Sequence, residues 1–286
     1  MSYTTLISAD ELVHNQSNPA LVLLDCRADL QDPLAGAAAF ATSHIPVAQH
    51  ADLDIDLSDK TAGAHGEFRG RHPLPAREKF IERLRSWGVN SDSLVVVYDA
   101  HGGMFAARLW WMLRWVGHSQ VALLDGGLQA WQAMDFTMTS RKISPEPGNI
   151  TLRPSLVPTV SVEDVMRNLA QPERIILDAR AADRFRGENE IIDPVAGHIP
   201  GAKNRWFKDN LQADGRFKPA DQLRTELSAL ITSPEKTILQ CGSGASACVN
   251  LLAMEIAGLS GAALYPGSWS EWSADPARPV ATGSAD

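Results

Sequence analysis

Cys241 ends the apolar run TILQ and is followed by Gly242, Ser243, Gly244, Ala245, Ser246 and Ala247, all residues with small side chains or none. Glycine reaches backbone conformations that other residues avoid, and a run of small residues lets several N–H groups turn toward one atom. Ahead of a helix N-terminus such a nest favours an anion. A thiol in that setting shifts toward the nucleophilic thiolate, and the same donors suit the charge of a persulfide. Cys26 and Cys248, the other two cysteines, fall in apolar patterns where a core thiol is ordinary. Three scattered cysteines form neither a disulfide framework nor a zinc site. The expected chemistry is that of one activated sulfur, with no metal and no organic cofactor.

The elements that must position this thiol occur twice along the chain. LVLLDCR (21–27) resembles RIILDAR (174–180), SHIPVA (43–48) resembles GHIPGA (197–202), and LLDGGLQAW (123–131) resembles LYPGSWSEW (264–272). The proline-rich stretch between the halves suits an extended linker, so we expect a first domain at residues 1–142, a linker at 143–158 and a second domain at 159–286. Continuous apolar runs such as LVVVYD and TILQC alternate with helical patterns such as AARLWWMLRWVG. That alternation predicts parallel strands covered by helices on both faces, an α/β fold made twice.

Aligning VVVYDAHGG with TILQCGSGA puts Asp99 where Cys241 stands, so only the second half is expected to be catalytic. Features common to both halves, Asp25 and Asp178, Arg27 and Arg180, His44 and His198, are expected to be scaffold. Arg184 and Arg186, in ADRFRGENE, have no counterpart in the first-half segment DLQDP. A guanidinium there is suited to binding a carboxylate or sulfonate.

The net charge of -8, without a basic block, argues against nucleic acid or an anionic membrane as partner. No stretch reaches the roughly 18 uncharged apolar residues of a membrane span. MSYTTLISADELVHNQ lacks the pattern of a signal peptide, which gives the expectation of a cytoplasmic protein.

Over essentially its whole length the sequence resembles the two-domain rhodanese-type sulfurtransferases. CGSGASA is similar to the CGSGVTA loop of 3-mercaptopyruvate sulfurtransferases, whereas thiosulfate sulfurtransferases of this family place basic residues after the cysteine, as in CRKGVTA. The resemblance implies two tandem rhodanese-like domains. It implies that Cys241 takes sulfur from 3-mercaptopyruvate as a persulfide and passes it to a thiol or cyanide, a thioredoxin being one such acceptor. Thiosulfate as donor is the alternative. By the same resemblance Arg184 binds the donor's carboxylate, and Gly242, Gly244, Ala245, Ser246 and Ala247 line the sulfur. The family's serine, histidine and aspartate system maps onto Ser243, His72 in RHPLP and Asp54 in DLDID.

Many mercaptopyruvate enzymes also carry a second arginine in an EPR motif, where this chain reads ENEIIDPVAGHIP. Two consequences stay open: Arg186 takes its place, or mercaptopyruvate binds less tightly and thiosulfate serves as well. The uncharged loop favours mercaptopyruvate. Its enolate leaving group needs a cation on the carboxylate and a hydroxyl or imidazole near the carbonyl, while the sulfite left by thiosulfate prefers basic neighbours. A phosphatase, which needs an arginine closing the loop, is disfavoured by Ala247 at that place. A non-turnover sulfur carrier is the remaining rival.

Overall fold

The structure, a computed structural model, describes residues 3–61 and 67–284. It divides into two compact units, Met1–Asp59 with Pro75–Leu156 and Gln212–Phe217, and Lys60–Leu74 with Val157–Leu211 and Lys218–Asp286. Relative to a single cut at the linker, two segments change sides. Gln212–Phe217 belongs to the first unit, where the Phe217 N–H donates to Asp125 Oδ1 at 2.9 Å. Lys60–Leu74 belongs to the second, where the Arg71 N–H donates to Ser270 Oγ at 3.1 Å.

The first unit runs β1 (Leu6–Ile7), α1 (Ala9–Asn15), β2 (Leu21–Asp25), α2 (Ala35–Thr42), β3 (Ala48–His50), α3 (Arg77–Ser86), β4 (Leu94–Tyr98), α4 (Ala106–Trp115), β5 (Val121–Leu124) and α5 (Gly127–Ala133). Its sheet is parallel, in the order β1-β5-β4-β2-β3. Every residue of β4, LVVVY, is buried, so both faces are covered, as a β-branched apolar run requires. A capping box between Ser8 and Glu11 starts α1 by satisfying N–H groups the helix leaves open.

The second unit continues with α6 (Val162–Ala170), β6 (Ile175–Asp178), α7 (Ala182–Arg186), β7 (Lys203–Asn204), α8 (Ala220–Ser228), β8 (Thr237–Gln240), α9 (Ala247–Ile256), β9 (Ala263–Leu264) and α10 (Ser268–Trp272). Its parallel sheet has the order β7-β6-β8-β9. Where the first unit has β1, this one keeps only a bridge, with the Val160 N–H on Leu264 O at 2.9 Å.

The repeat read from the sequence is a repeat of contacts. The Trp131 indole donates to Thr137 O at 3.1 Å in the first unit, and the Trp272 indole to Pro279 O at 2.9 Å in the second. Both rings are wholly buried and anchor the two cores.

Candidate functional site

β8 lies between β6 and β9 and ends at Gln240, so Cys241 stands at the carboxyl edge of an inner strand, where ligands of open α/β sheets bind. The thiol residue is only 2% exposed. The first turn of α10 holds its backbone: the Cys241 N–H donates to Ser268 Oγ at 3.1 Å, Cys241 O accepts from Trp269 N–H at 3.0 Å, and Gly242 O accepts from Ser270 N–H at 2.9 Å. Ser268 adopts a left-handed φ of 53° and its hydroxyl donates to Tyr265 O at 2.9 Å. The matching first-unit residue is Gly127, at φ 59°, followed by Leu128 N–H on Asp99 O at 2.9 Å. Asp99 and Cys241 therefore occupy the same place. Glycine takes that φ freely and serine at a cost of about 1–2 kcal/mol, which the hydroxyl bridge to Cys241 explains.

The first unit shows what the loop is shaped to hold. Asp99 turns its own carboxylate into the turn, taking the N–H groups of His101 (2.8 Å) and Gly103 (3.0 Å) on Oδ1 and of Phe105 (2.8 Å) and Ala106 (2.9 Å) on Oδ2. An anion is thus seated at a nest ahead of α4. The equivalent residues of the second loop are Ser243, Ala245, Ala247 and Cys248. Of these, the Cys248 N–H is used by Ala245 O at 3.0 Å as α9 begins. Ala245, Ala247 and Cys248 are buried and Ser246 is half-buried. Gly244 must be glycine, since its φ is 77° and a Cβ there would lie 2.4 Å from Pro266 O.

Ser243 and His72 meet directly, Oγ to Nδ1 at 2.7 Å, and both are buried. Asp54 belongs to the first unit, where its N–H closes a turn on Asp52 Oδ1 at 2.8 Å.

The two arginines of α7 have different surroundings. Arg186 is 37% exposed in its side chain and clasped by its neighbour Glu188, Nε to Oε1 at 2.8 Å and Nη2 to Oε2 at 2.7 Å. Its guanidinium is thus paired with a carboxylate two residues away at the surface. Arg184 does face the loop: a Cβ built on Gly242 would lie 3.8 Å from its Nη2 and 3.9 Å from its Nη1. The same Cβ would lie 2.8 Å from Nη2 of Arg71, a residue that sequence reasoning misses. Arg71 stands directly before His72, in GRHPLP, which is the one signal the sequence offers for it.

Two buried carboxylates hold these guanidinia. Arg184 donates to Glu190 from Nε at 3.1 Å and from Nη2 at 2.8 and 2.9 Å, and to Asp193 Oδ2 at 3.3 Å, while Asp193 Oδ1 accepts from Arg71 Nη1. Burial pushes the Asp193 carboxyl above its usual range against the pull of Arg71. Burial works the same way on Glu190, but Arg184 and the N–H groups of Asp193 and Ile192 together hold that carboxyl below its usual range.

The features common to both halves do serve as scaffold. Arg27 Nη2 donates to Asp25 at 2.6 Å and to Ser43 O at 2.7 Å, and Arg180 Nη2 to Asp178 at 2.7 Å and Gly197 O at 2.8 Å. His44 stacks on Phe40 at 3.9 Å and His198 on Phe185 at 3.7 Å, each ring bonding the carbonyl of the residue it covers.

A duplicated parallel α/β unit, with a cradled cysteine closing an inner strand of one copy and an aspartate in its place in the other, defines the class of protein. The rhodanese-like domain family matches residues 8–134 and 161–275, and the chain belongs to that family. A Pseudomonas aeruginosa protein named as a probable 3-mercaptopyruvate sulfurtransferase is 47% identical over 286 residues, covering 99% of this chain and 100% of the relative. A provisionally named thiosulfate sulfurtransferase of Mycobacterium tuberculosis is 39% identical, with 98% of each chain covered. The solved 3-mercaptopyruvate sulfurtransferase from Leishmania major superposes with a TM-score of 0.82 at 29% identity, over 95% of this chain and 74% of that one. Among the described residues no helix is long and apolar enough to cross a membrane.

Proposed function

We propose that the protein is a sulfurtransferase that moves sulfur from 3-mercaptopyruvate to a thiol or cyanide through a Cys241 persulfide. The observation that carries this reading is the hydrogen bond between Ser243 and His72 beside Cys241, at 2.7 Å. The Cys241 thiolate attacks the donor's sulfur, an S–S bond forms and the C–S bond breaks. The electron pair leaves on carbon as pyruvate enolate, which takes a proton to become pyruvate. The Ser243 hydroxyl, held by His72, donates to the carbonyl oxygen on which that charge develops, and Arg184 binds the carboxylate. An acceptor thiolate then attacks the outer sulfur and restores the Cys241 thiolate.

Because Cys241 itself carries the sulfur, the reaction so drawn requires neither metal nor organic cofactor. Reduced thiols supply the acceptors, and we take a thioredoxin-like dithiol in the cytoplasm as the natural one, where thiols stay reduced. Thiosulfate is the second reading, favoured by the two guanidinia that face Gly242.

The test is kcat/KM for 3-mercaptopyruvate and for thiosulfate, measured side by side with cyanide as acceptor and Cys241→Ser as control. A preference for mercaptopyruvate of about tenfold or more, some 1.4 kcal/mol of transition-state stabilisation, is expected. Cys241→Ser should fold normally and transfer no sulfur; persistent turnover in that variant would end the proposal. A preference for thiosulfate would assign the protein to the second reading.

A further inference from the structure

Gln240 ends β8 next to Cys241 and is wholly buried, yet among the described residues neither its amide nitrogen nor its amide oxygen meets a hydrogen-bonding group. Buried polar groups are nearly always paired, with ordered water where no protein group is at hand. The first unit shows what stands at this place in the fold. The alignment that sets Asp99 on Cys241 sets Tyr98 on Gln240. Tyr98 is the register partner of Asp25, and Gln240 that of Asp178. The Tyr98 hydroxyl donates to Asp25 Oδ2 at 2.9 Å and accepts from the Ile45 N–H at 3.2 Å. Ile45, in SHIPVA, corresponds to Ile199, in GHIPGA, so both partners of that hydroxyl have counterparts in the second unit.

The counterparts keep their places, and the hydroxyl does not. Asp178 is wholly buried and takes Arg180 on Oδ2, from Nε at 3.0 Å and Nη2 at 2.7 Å, as Asp25 takes Arg27. Ile199 is wholly buried as well, and among the described residues its N–H makes no hydrogen bond. A glutamine ends short of a tyrosine hydroxyl, and it is smaller than a tyrosine by more than the ~30 Å³ share of one water molecule. A donor, a carboxylate oxygen and an amide therefore surround the place that one oxygen atom fills in the first unit.

We propose that the second unit binds one ordered water molecule at the position of the Tyr98 hydroxyl, accepting from the Ile199 N–H, donating to Asp178 Oδ2 and making its third bond with the Gln240 amide. Three polar partners are the usual number for a buried water. The molecule closes a buried polar chain that runs from Asp178 to Arg180 Nη2 at 2.7 Å, from Arg180 Nη1 to Glu190 Oε2 at 3.4 Å, and from Glu190 Oε1 to Arg184 Nη2 at 2.8 Å. In the first unit the corresponding guanidinium, Arg27, passes instead to a backbone carbonyl, Ser43 O at 2.7 Å. Water thus takes part in the support of the arginine that faces the thiol loop.

The experiment combines a high-resolution crystal structure of the full chain with thermal melts of two variants. The map should show a water within hydrogen-bond distance of Ile199 N, Asp178 Oδ2 and the Gln240 amide. Gln240→Met keeps an unbranched side chain of similar length and removes the amide. If water satisfies that amide, the variant loses a hydrogen bond and its Tm should fall by about 3–6 °C; removal of an orphaned amide would raise Tm instead. In Gln240→Tyr the new hydroxyl should take the place of the water, as Tyr98 does in the first unit, with the water gone from the map and Tm at or above that of wild type. A map without density at the site, a Gln240→Met variant that melts as high as wild type or higher, or a water that persists beside the introduced hydroxyl would each overturn the proposal.

Discussion

His72 and Ser243 lie 171 residues apart in the chain and 2.7 Å apart in the fold. Their pairing has a consequence that differs between donors. Mercaptopyruvate cleavage puts charge on a carbonyl oxygen, whereas thiosulfate releases sulfite with its charge already in place. Ser243→Ala should therefore lower kcat for mercaptopyruvate by on the order of 10²-fold, the usual loss of one oxyanion donor, and leave thiosulfate turnover within a few fold. Equal losses for the two donors would show that Ser243 does not stabilise the enolate. Cys241 and Arg184 were legible from loop composition and from comparison of the two halves, and Ser243 only from the family resemblance. Arg71 was not, since a lone arginine in a loop has no spacing that marks it, and its nearness to Gly242 arises only once its segment packs in the second unit.

At the level of elements, one strand, loop and helix is used twice with opposite contents. In the first unit, β4, the loop and α4 close around the Asp99 carboxylate; in the second, β8, the loop and α9 present a thiol. Asp99→Asn removes the charge and turns one acceptor into a donor facing N–H groups. With buried donors left unpaired, a loss of about 2–4 kcal/mol is expected. Urea unfolding followed in the first unit measures it, and sulfur transfer by the folded variant should persist. No loss of stability would mean that the nest is indifferent to what fills it. The sequence alignment of Asp99 with Cys241 could locate this pair. It could not show that the aspartate acts as its own ligand, because that depends on the loop curling back through Gly102 and Gly103, both with positive φ.

For the whole molecule, buried histidines set a pH dependence. Burial pushes the His118 and His198 imidazoles below their ordinary range, so both are neutral in the folded protein near neutrality. Unfolding exposes them to protonation near pH 6.5. Between that pH and their lower folded values the unfolded state binds more protons, so stability falls as pH falls, by at most about 1.4 kcal/mol per pH unit for each group. Carboxyls raised by burial, Asp125 and Asp193 among them, work in the opposite direction at lower pH. Comparing urea midpoints between about pH 7.5 and 5.5 in wild type and His198→Gln isolates the histidine contribution. The variant should be less stable and show a shallower dependence; parallel curves would remove His198 from this role. By itself the sequence determined the duplication and the parallel α/β class and set Cys241 apart from the other two cysteines, because strand periodicity, internal repeats and loop composition are written along the chain. Which charges stand beside that cysteine was decided only by tertiary structure. A guanidinium goes to the carboxylate that folding brings to it: for Arg186 that is Glu188, two residues away at the surface, and for Arg71 it is Asp193, 122 residues further on and buried.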